Sequence, residues 1–245
     1  MAIAVMKRYE LKYMLTAPQA EYFRRGLRGR MELDSYGMTS IASLYYDTPN
    51  FRLIRNSIES PPFKEKIRLR SYGPATDESP VFLELKRKAY GIVYKRRVQS
   101  TIPRVEKFFA GEGDVCAPGQ INAEITAFRD FYGTLAPSCL IICDRTAYFE
   151  PGGDLRLTVD YNPRYRVDRL DLKSGMDGLG LLDEGTAILE IKVQEAMPLW
   201  LCSLLSEGGI YKASFSKYGA AYPRQVRGAP SEPRAPADPA ILEAS

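Results

Sequence analysis

Histidine is absent from all 245 residues. That removes histidine-activated nucleophiles, histidine general acid or base catalysis and histidine-ligated zinc together. Any chemistry must run on carboxylates, cations, hydroxyls and bound metal. Cysteine is scarce: Cys116, Cys139, Cys143 and Cys202 show no CxxC spacing. Cys139 and Cys143, placed on one face of an extended strand, would lie about 13 Å apart, too far for a disulfide. The four read as reduced, structural thiols. Long apolar runs are missing too. No segment approaches the roughly 18 residues of a spanning helix, and the opening MAIAVMKRYE is too short in apolar length for a signal peptide. A soluble cytoplasmic protein is expected. Nor does one sign of charge dominate. With 34 basic and 30 acidic residues the net charge is only +4, so a polyanionic partner must be argued from where the charges lie.

What is present is strand-like alternation. At 45% hydrophobic the chain can bury a substantial core. Segments 6–15, 41–47, 64–72, 80–88, 92–102, 139–149, 154–161 and 187–194 alternate or are rich in β-formers. Eight strands are enough to close a barrel. Helical spacing is clearest over 196–207, where Met197, Trp200, Leu201, Leu204 and Leu205 recur, with Pro198 opening and Gly208 closing the segment. A second helix runs through Ile121, Ile125, Phe128 and Tyr132. A third, from about 18 to 28, has a capping box in Thr16 and Gln19. Runs of strands with a few separate helices favour an α+β, antiparallel architecture over a parallel sheet.

The charged residues follow the alternation. Lys64, Lys66, Arg68 and Arg70 occupy every second position, with Ile67 and Leu69 between them. Glu84, Lys86 and Lys88 do the same in the next strand, as do Arg156 with Asp160, Glu190 with Lys192, and Arg8, Glu10 and Lys12. A sheet with one wet and one dry face would account for the alternation alone. Cations about 6.7 Å apart on one strand face repel by about 2.5 kcal/mol at an effective dielectric of ~20, and by only ~0.6 kcal/mol in water. An open face would therefore tolerate them. It would not explain why the acids come one per strand, at Glu10, Glu84 and Glu190, instead of mixing evenly with the bases. Arginine forks and lysine point charges with a lone carboxylate suit a polyphosphate and a hard divalent metal.

In order along the chain, RYELKY, SLYYDTP, KIRLRSYG, FLELKRK, VYKRR, DRTAYF, LRLTVDY, ILEIKV and SFSKYG resemble the motifs of the triphosphate tunnel metalloenzymes (CYTH-like), and within them the VTC-domain polyphosphate polymerases. The resemblance spans most of residues 6–222. It implies an antiparallel β-barrel of about eight strands forming a tunnel, with helices packed outside. Residues 1–226 would be the tunnel domain, and the Pro- and Ala-rich stretch 227–245 a flexible tail. Carried over by motif, Arg68, Arg70, Lys86, Arg145 and Arg156 would be catalytic. Lys12, Lys66, Lys95, Arg97, Lys192 and Lys217 would bind phosphate, and Glu190 with Glu10 would hold Mn²⁺ or Mg²⁺. Two positions depart from the pattern. Arg8 stands where the hydrolase branch has the first glutamate of ExExK, and Ser214 stands where the polymerase pattern has a lysine, with Lys212 nearby.

The implied activity is transfer of the ATP γ-phosphoryl group to inorganic polyphosphate. Its rivals are a tripolyphosphatase or organic triphosphate hydrolase on the same fold, and a non-catalytic polyphosphate sensor. No nucleic-acid partner is expected, because Tyr9, Tyr13 and Tyr94 sit at the opposite parity from the cations. A membrane partner protein is implied only by the family's eukaryotic assemblies. GMDGLGLL at 175–182 lacks the Lys-Ser/Thr of a nucleotide loop and reads as a mobile loop. Asp47 to Asn50 reads as a turn and helix start, and Trp200 as core.

Overall fold

The computed structural model describes residues 9–90, 92–227 and 233–234, with Arg227, Pro233 and Arg234 described by backbone alone. In chain order the elements are β1 (Tyr9–Leu15), α1 (Ala17–Gly26), β2 (Glu32–Leu33), β3 (Thr39–Asp47), α2 (Arg52–Glu59), β4 (Phe63–Tyr72), β5 (Val81–Ala89), β6 (Ile92–Ser100) and α3 (Ile102–Phe109). They continue with α4 (Gln120–Tyr132), β7 (Ala136–Phe149), β8 (Arg156–Arg166), β9 (Gly178–Gly180), β10 (Ala187–Val193), α5 (Leu199–Glu207), α6 (Lys217–Arg227) and β11 (Pro233–Arg234). Each of the eight expected strands is present. They form one antiparallel sheet in the order β1-β10-β8-β7-β3-β4-β5-β6, curled into a half-barrel. β2, β9 and β11 are short additions at its margins.

Alternation decides which way each face turns. On β4, Ile67 and Leu69 are essentially fully buried on the convex side. They join Leu83, Leu85, Leu140 and Ile142 beneath Ile102, Val105 and Phe108 of α3 and Ile125 and Phe128 of α4. A second convex core sets Leu155, Leu157, Leu189 and Ile191 against Phe23 of α1 and Leu201, Leu204 and Leu205 of α5. Burying such a side chain is worth about 1.5–3 kcal/mol, and a one-residue slip would turn every one of them into the cavity. The charged residues of the opposite parity, among them Lys66, Arg68, Arg70, Glu84 and Glu190, are thereby turned to the concave side. α1 carries the expected capping box, with Thr16 accepting from the Gln19 N–H and the Gln19 side chain returning to the Thr16 backbone.

A third cluster closes one end of the concave face. Tyr218 of α6 stacks on Tyr45 of β3 with centroids 4.4 Å apart, and its hydroxyl donates to Asp47 at 2.9 Å. Asp47 also accepts from the N–H groups of Thr48, Leu53 and Ile54, so the expected turn and helix start is α2, capped from six and seven residues upstream. On β8, Asn162 takes a left-handed φ of 44° where the β7–β8 register shifts between Ile142 and Asp144. The bulge, with Pro163 inside it, bends the strand.

Two readings need correction. The 175–182 segment is not a loose loop: Gly178–Gly180 pairs with β8, and a Cβ on Gly178 would sit 2.9 Å from the Tyr165 carbonyl oxygen, an approach that requires glycine. Arg164 and Arg166 bond the carbonyls of Met176 and Ser174 and hold the segment down. Trp200 lies half-buried at the margin of the second core, under the Arg30 guanidinium at 5.1 Å. Of the 227–245 tail, all but Arg227, Pro233 and Arg234 lies outside the described residues, and the latter two pair with Leu179 and Gly178. Among the described residues no helix is long and apolar enough to cross a membrane.

Candidate functional site

The concave face encloses a cavity of ≈ 280 Å³ lined by nine cationic side chains and three carboxylates. β1 contributes Glu10 and Lys12, β4 contributes Lys66, Arg68 and Arg70, and β5 contributes Glu84 and Lys86. Lys95 comes from β6, Arg145 from β7, Glu190 and Lys192 from β10, and Lys217 from the first turn of α6. Lys64, the fourth cation of its row, leaves the group. It donates to the Ser57 carbonyl at 3.2 Å and to Ser60 at 3.3 Å, at the C-terminus of α2.

Buried carboxylates fix the cations. Glu84, 2% exposed, accepts from Arg68 Nε at 2.9 Å and lies 2.7 Å from Lys95, 3.7 Å from Arg97 and 3.8 Å from Arg70. Burial would raise its pKa, but Arg68, Arg70 and Lys95 hold it far below the usual carboxylate range. Arg68 also donates to the Tyr45 hydroxyl at 3.0 Å, and Arg70 to Ser43 at 3.3 Å. Burial beside Arg68 lowers the Arg70 pKa. Across the sheet, Asp160 of β8 is fully buried and accepts a two-pronged contact from Arg145 at 2.5 and 2.7 Å, together with an ion pair from Lys217. Burial works against its ionisation; Arg145 and Lys217 overcome it and hold the pKa low.

The third group crosses β1 and β10, where Glu10 faces Lys192 and Lys12 faces Glu190 in register. Lys12 lies 3.3 Å from Glu190 and 3.6 Å from Glu10, and Lys86 reaches across from β5 to Glu10 at 3.3 Å. Among the described residues β1 and β6, the two ends of the sheet, are not hydrogen-bonded to each other. The half-barrel is spanned here by side chains. Glu190 is held well below its ordinary pKa: burial opposes this, and Lys217, Lys12 and Arg145 outweigh it. Among the described residues no three His, Cys, Asp or Glu side chains gather into a metal cage. Glu10 and Glu190, diagonal neighbours on adjacent strands, fit a hard divalent ion that completes its shell with phosphate oxygens and water.

Lys66 differs from the others. Its amine donates to the Ser216 hydroxyl at 3.1 Å, and among the described residues it pairs with no carboxylate. Burial, reinforced by Lys64, Lys12 and Lys86 against the opposing pull of Tyr45, pushes its pKa down to about 8.

Of the residues singled out from sequence, eleven line this cavity together: Lys12, Lys66, Arg68, Arg70, Lys86, Lys95, Arg145, Lys192 and Lys217 with Glu10 and Glu190. Arg97 stands at its edge, over the Phe82 ring at 3.8 Å. Arg156 does not join them. It is exposed at the start of β8, bonded to the carbonyls of Gly153 and Leu155 and lying over Phe149. Lys212 is exposed, bridged to Tyr13, and outside the lining. Arg8 lies outside the described residues. Glu84 is expected from sequence only as the lone acid of its strand, and Asp160 and Tyr45 carry no expected role. Glu84 and Asp160 share the strand parity of the cations, which was the available signal. The reach of Asp160 to Lys217, 57 residues away, had none.

A curled antiparallel sheet whose concave face gathers cations from most of its strands is the fold of the triphosphate tunnel proteins. The VTC domain model matches residues 7–224, and the chain belongs to that family. Among solved structures, the chain is similar to a "putative adenylate cyclase" from Bacillus halodurans, with 14% identity, a TM-score of 0.53 and coverage of 86% of this chain and 94% of that one. It is also similar to a "putative adenylyl cyclase" from Hippeastrum, described as having a dominant triphosphatase activity, with 15% identity, a TM-score of 0.51 and coverage of 91% and 96%. At these identities the likeness is one of fold. No curated protein matches the sequence significantly.

Proposed function

We propose that this domain is a polyphosphate polymerase that transfers the γ-phosphoryl group of ATP to the end of an inorganic polyphosphate chain and releases ADP. The observation that carries the reading is the excess of cations over carboxylates in the concave cavity, nine against three. Such a surface is electrostatically complete only around a polyanion. In the transfer, a terminal oxygen of the chain attacks the γ-phosphorus and the bond to the bridging β,γ-oxygen breaks. The chain gains one phosphate, and ADP carries away the electron pair. The attacking oxygen is already ionised, so the step needs alignment and charge neutralisation more than a base.

Arg68, Arg70 and Arg145 would align donor and acceptor phosphates. Glu84 and Asp160 hold Arg68 and Arg145 in fixed orientations before substrate arrives. Lys12, Lys66, Lys86, Lys95, Lys192 and Lys217 would neutralise the chain, with Arg97 at the edge. Glu190 and Glu10 would hold Mg²⁺ or Mn²⁺, which when bound neutralises charge on phosphate oxygens. Arg156, directed at its own chain, has no place in this scheme.

Hydrolysis of a triphosphate is the second reading, favoured by the activity described for the Hippeastrum neighbour. Against it, water needs a base. The cavity carboxylates Glu10, Glu84 and Glu190, with Asp160 behind them, are all held below their ordinary pKa by neighbouring cations, which makes them weak bases. Purified protein incubated with ATP and Mn²⁺ is expected to yield ADP and long-chain polyphosphate in proportion. Orthophosphate without polymer would replace this reading with the hydrolase. Binding without turnover would leave a sensor.

A further inference from the structure

The concave channel does not end at the phosphate cavity. At the end away from α6 it opens into a second cavity of ≈ 410 Å³, and Ile41 and Arg145 line both. The inward side chains change character along each strand toward this end. β4 runs Lys66, Arg68, Arg70 and then Tyr72; β5 runs Lys86, Glu84 and then Phe82; β6 supplies Lys95 and then Arg97. Charge gives way to flat, polarisable surface. The Arg97 guanidinium lies 3.8 Å from the Phe82 centroid and 5.6 Å from that of Tyr72, and donates to the Tyr72 hydroxyl at 3.2 Å. Tyr72 and Phe82 meet edge to face at 5.8 Å.

Lining the same cavity is Tyr36, 79% exposed, on the turn before β3. The turn is pinned by the Tyr36 N–H to Asp34 at 3.0 Å and by the Thr39 hydroxyl to the Tyr36 carbonyl at 3.1 Å. Asp34 brings a carboxylate acceptor beside the rings. A phosphate chain has no use for aromatic rings. A heteroaromatic base has, since it stacks on them, on guanidinium planes, or on both.

We propose that this second cavity is the nucleoside subsite of the donor. The purine of ATP stacks at Tyr36 and the Arg97–Tyr72–Phe82 platform, and its triphosphate passes Arg145 into the arginine-lined part of the channel. This rests on the triphosphate reading of the main cavity. It adds a basis for preferring a nucleotide over inorganic tripolyphosphate, which carries more charge and would otherwise bind at least as well.

Calorimetric titration of the full chain with ATP and with inorganic tripolyphosphate, in one Mg²⁺ buffer, tests it. The unaltered protein is expected to bind ATP more tightly by about 10-fold or more, a stacking-sized margin. Tyr36→Ala should erase that margin without changing tripolyphosphate affinity, and Tyr36→Phe should restore it. Equal affinity for the two ligands in the unaltered protein, or a margin that survives Tyr36→Ala, overturns the subsite while leaving the phosphate cavity intact. Failure of both ligands to bind the unaltered protein instead rejects the triphosphate reading, and the subsite with it.

Discussion

The two faces of the sheet use the same residue types in opposite ways. On the convex side the strand arginines are closely matched by carboxylates: Arg96 with Glu124 at 2.8 Å, Arg164 with Asp144 at 2.9 Å, and Arg87 with Glu65 and, at 3.7 Å, Glu124. On the concave side Glu84 serves Arg68, Arg70, Lys95 and Arg97 at once, Asp160 serves Arg145 and Lys217, and among the described residues Lys66 has no carboxylate beside it. Convex charges are matched and serve packing. Concave charges are gathered, oriented and left in surplus, which is the electrostatic condition of a polyanion site before its ligand arrives.

The comparison breaks first at the arginines. Arg68→Ala and Arg145→Ala should each lower ATP-dependent polymer formation by about 10³-fold, measured as ADP release. Lysine at either position should fail to rescue, because a point charge cannot reproduce a two-pronged contact. Next comes Glu84→Gln. Removing the shared carboxylate leaves several buried cations unmatched and should cost about 3 kcal/mol in denaturant unfolding at low salt, with tripolyphosphate recovering part of the loss by binding only the folded state.

Lys66 supplies the third test. Its folded pKa of about 8 lies below the usual lysine value of 10.5. Between these the unfolded chain binds more protons, so this group's contribution to stability rises as pH climbs from about 8 to 10.5. A bound polyanion favours the charged amine and raises its pKa, so tripolyphosphate affinity should fall as pH passes about 8, by up to about tenfold per pH unit. Lys66→Met should flatten that step in a pH series of titrations. The smallest effect belongs to the convex side. Glu124→Gln, at a partly exposed pair, should shift stability by under about 1 kcal/mol and leave ATP turnover unchanged.

The strands were legible because alternation is a local signal in β4 and β10, which set apolar residues at one parity and charge at the other, and because β3 and β7, buried at both parities, are rich in β-formers. α3 and α6 were not, and of α2 only the start at Asp47 to Asn50 was. The Phe51 N-cap of α2 has a left-handed φ of 57° and no side-chain cap of its own, since the capping is done by Asp47 from the preceding strand. α3 has only eight residues and no side-chain cap bond, and α6 contains Pro223. The site shows the same division. Its cations could be read from parity and motif order. The clamping roles of Glu84 and Asp160 could not, because they depend on which strands become neighbours: Glu84 stands opposite Arg68 on β4 and Arg97 on β6, and Asp160 stands opposite Arg145 on β7. Arg156 shows the limit of parity. It shares the inward register of Asp160 but sits at the strand's first residue, where the side chain turns back on its own loop.

The concave surplus of charge is proposed to receive a linear phosphate chain. A crystal structure of the protein with tripolyphosphate and Mn²⁺ tests it most directly. Continuous phosphate density along the channel, in contact with Arg68, Arg70, Arg145 and Lys66, is expected, with a metal ion shared between Glu190 and the phosphate oxygens. An empty channel with tripolyphosphate bound elsewhere on the surface would contradict it.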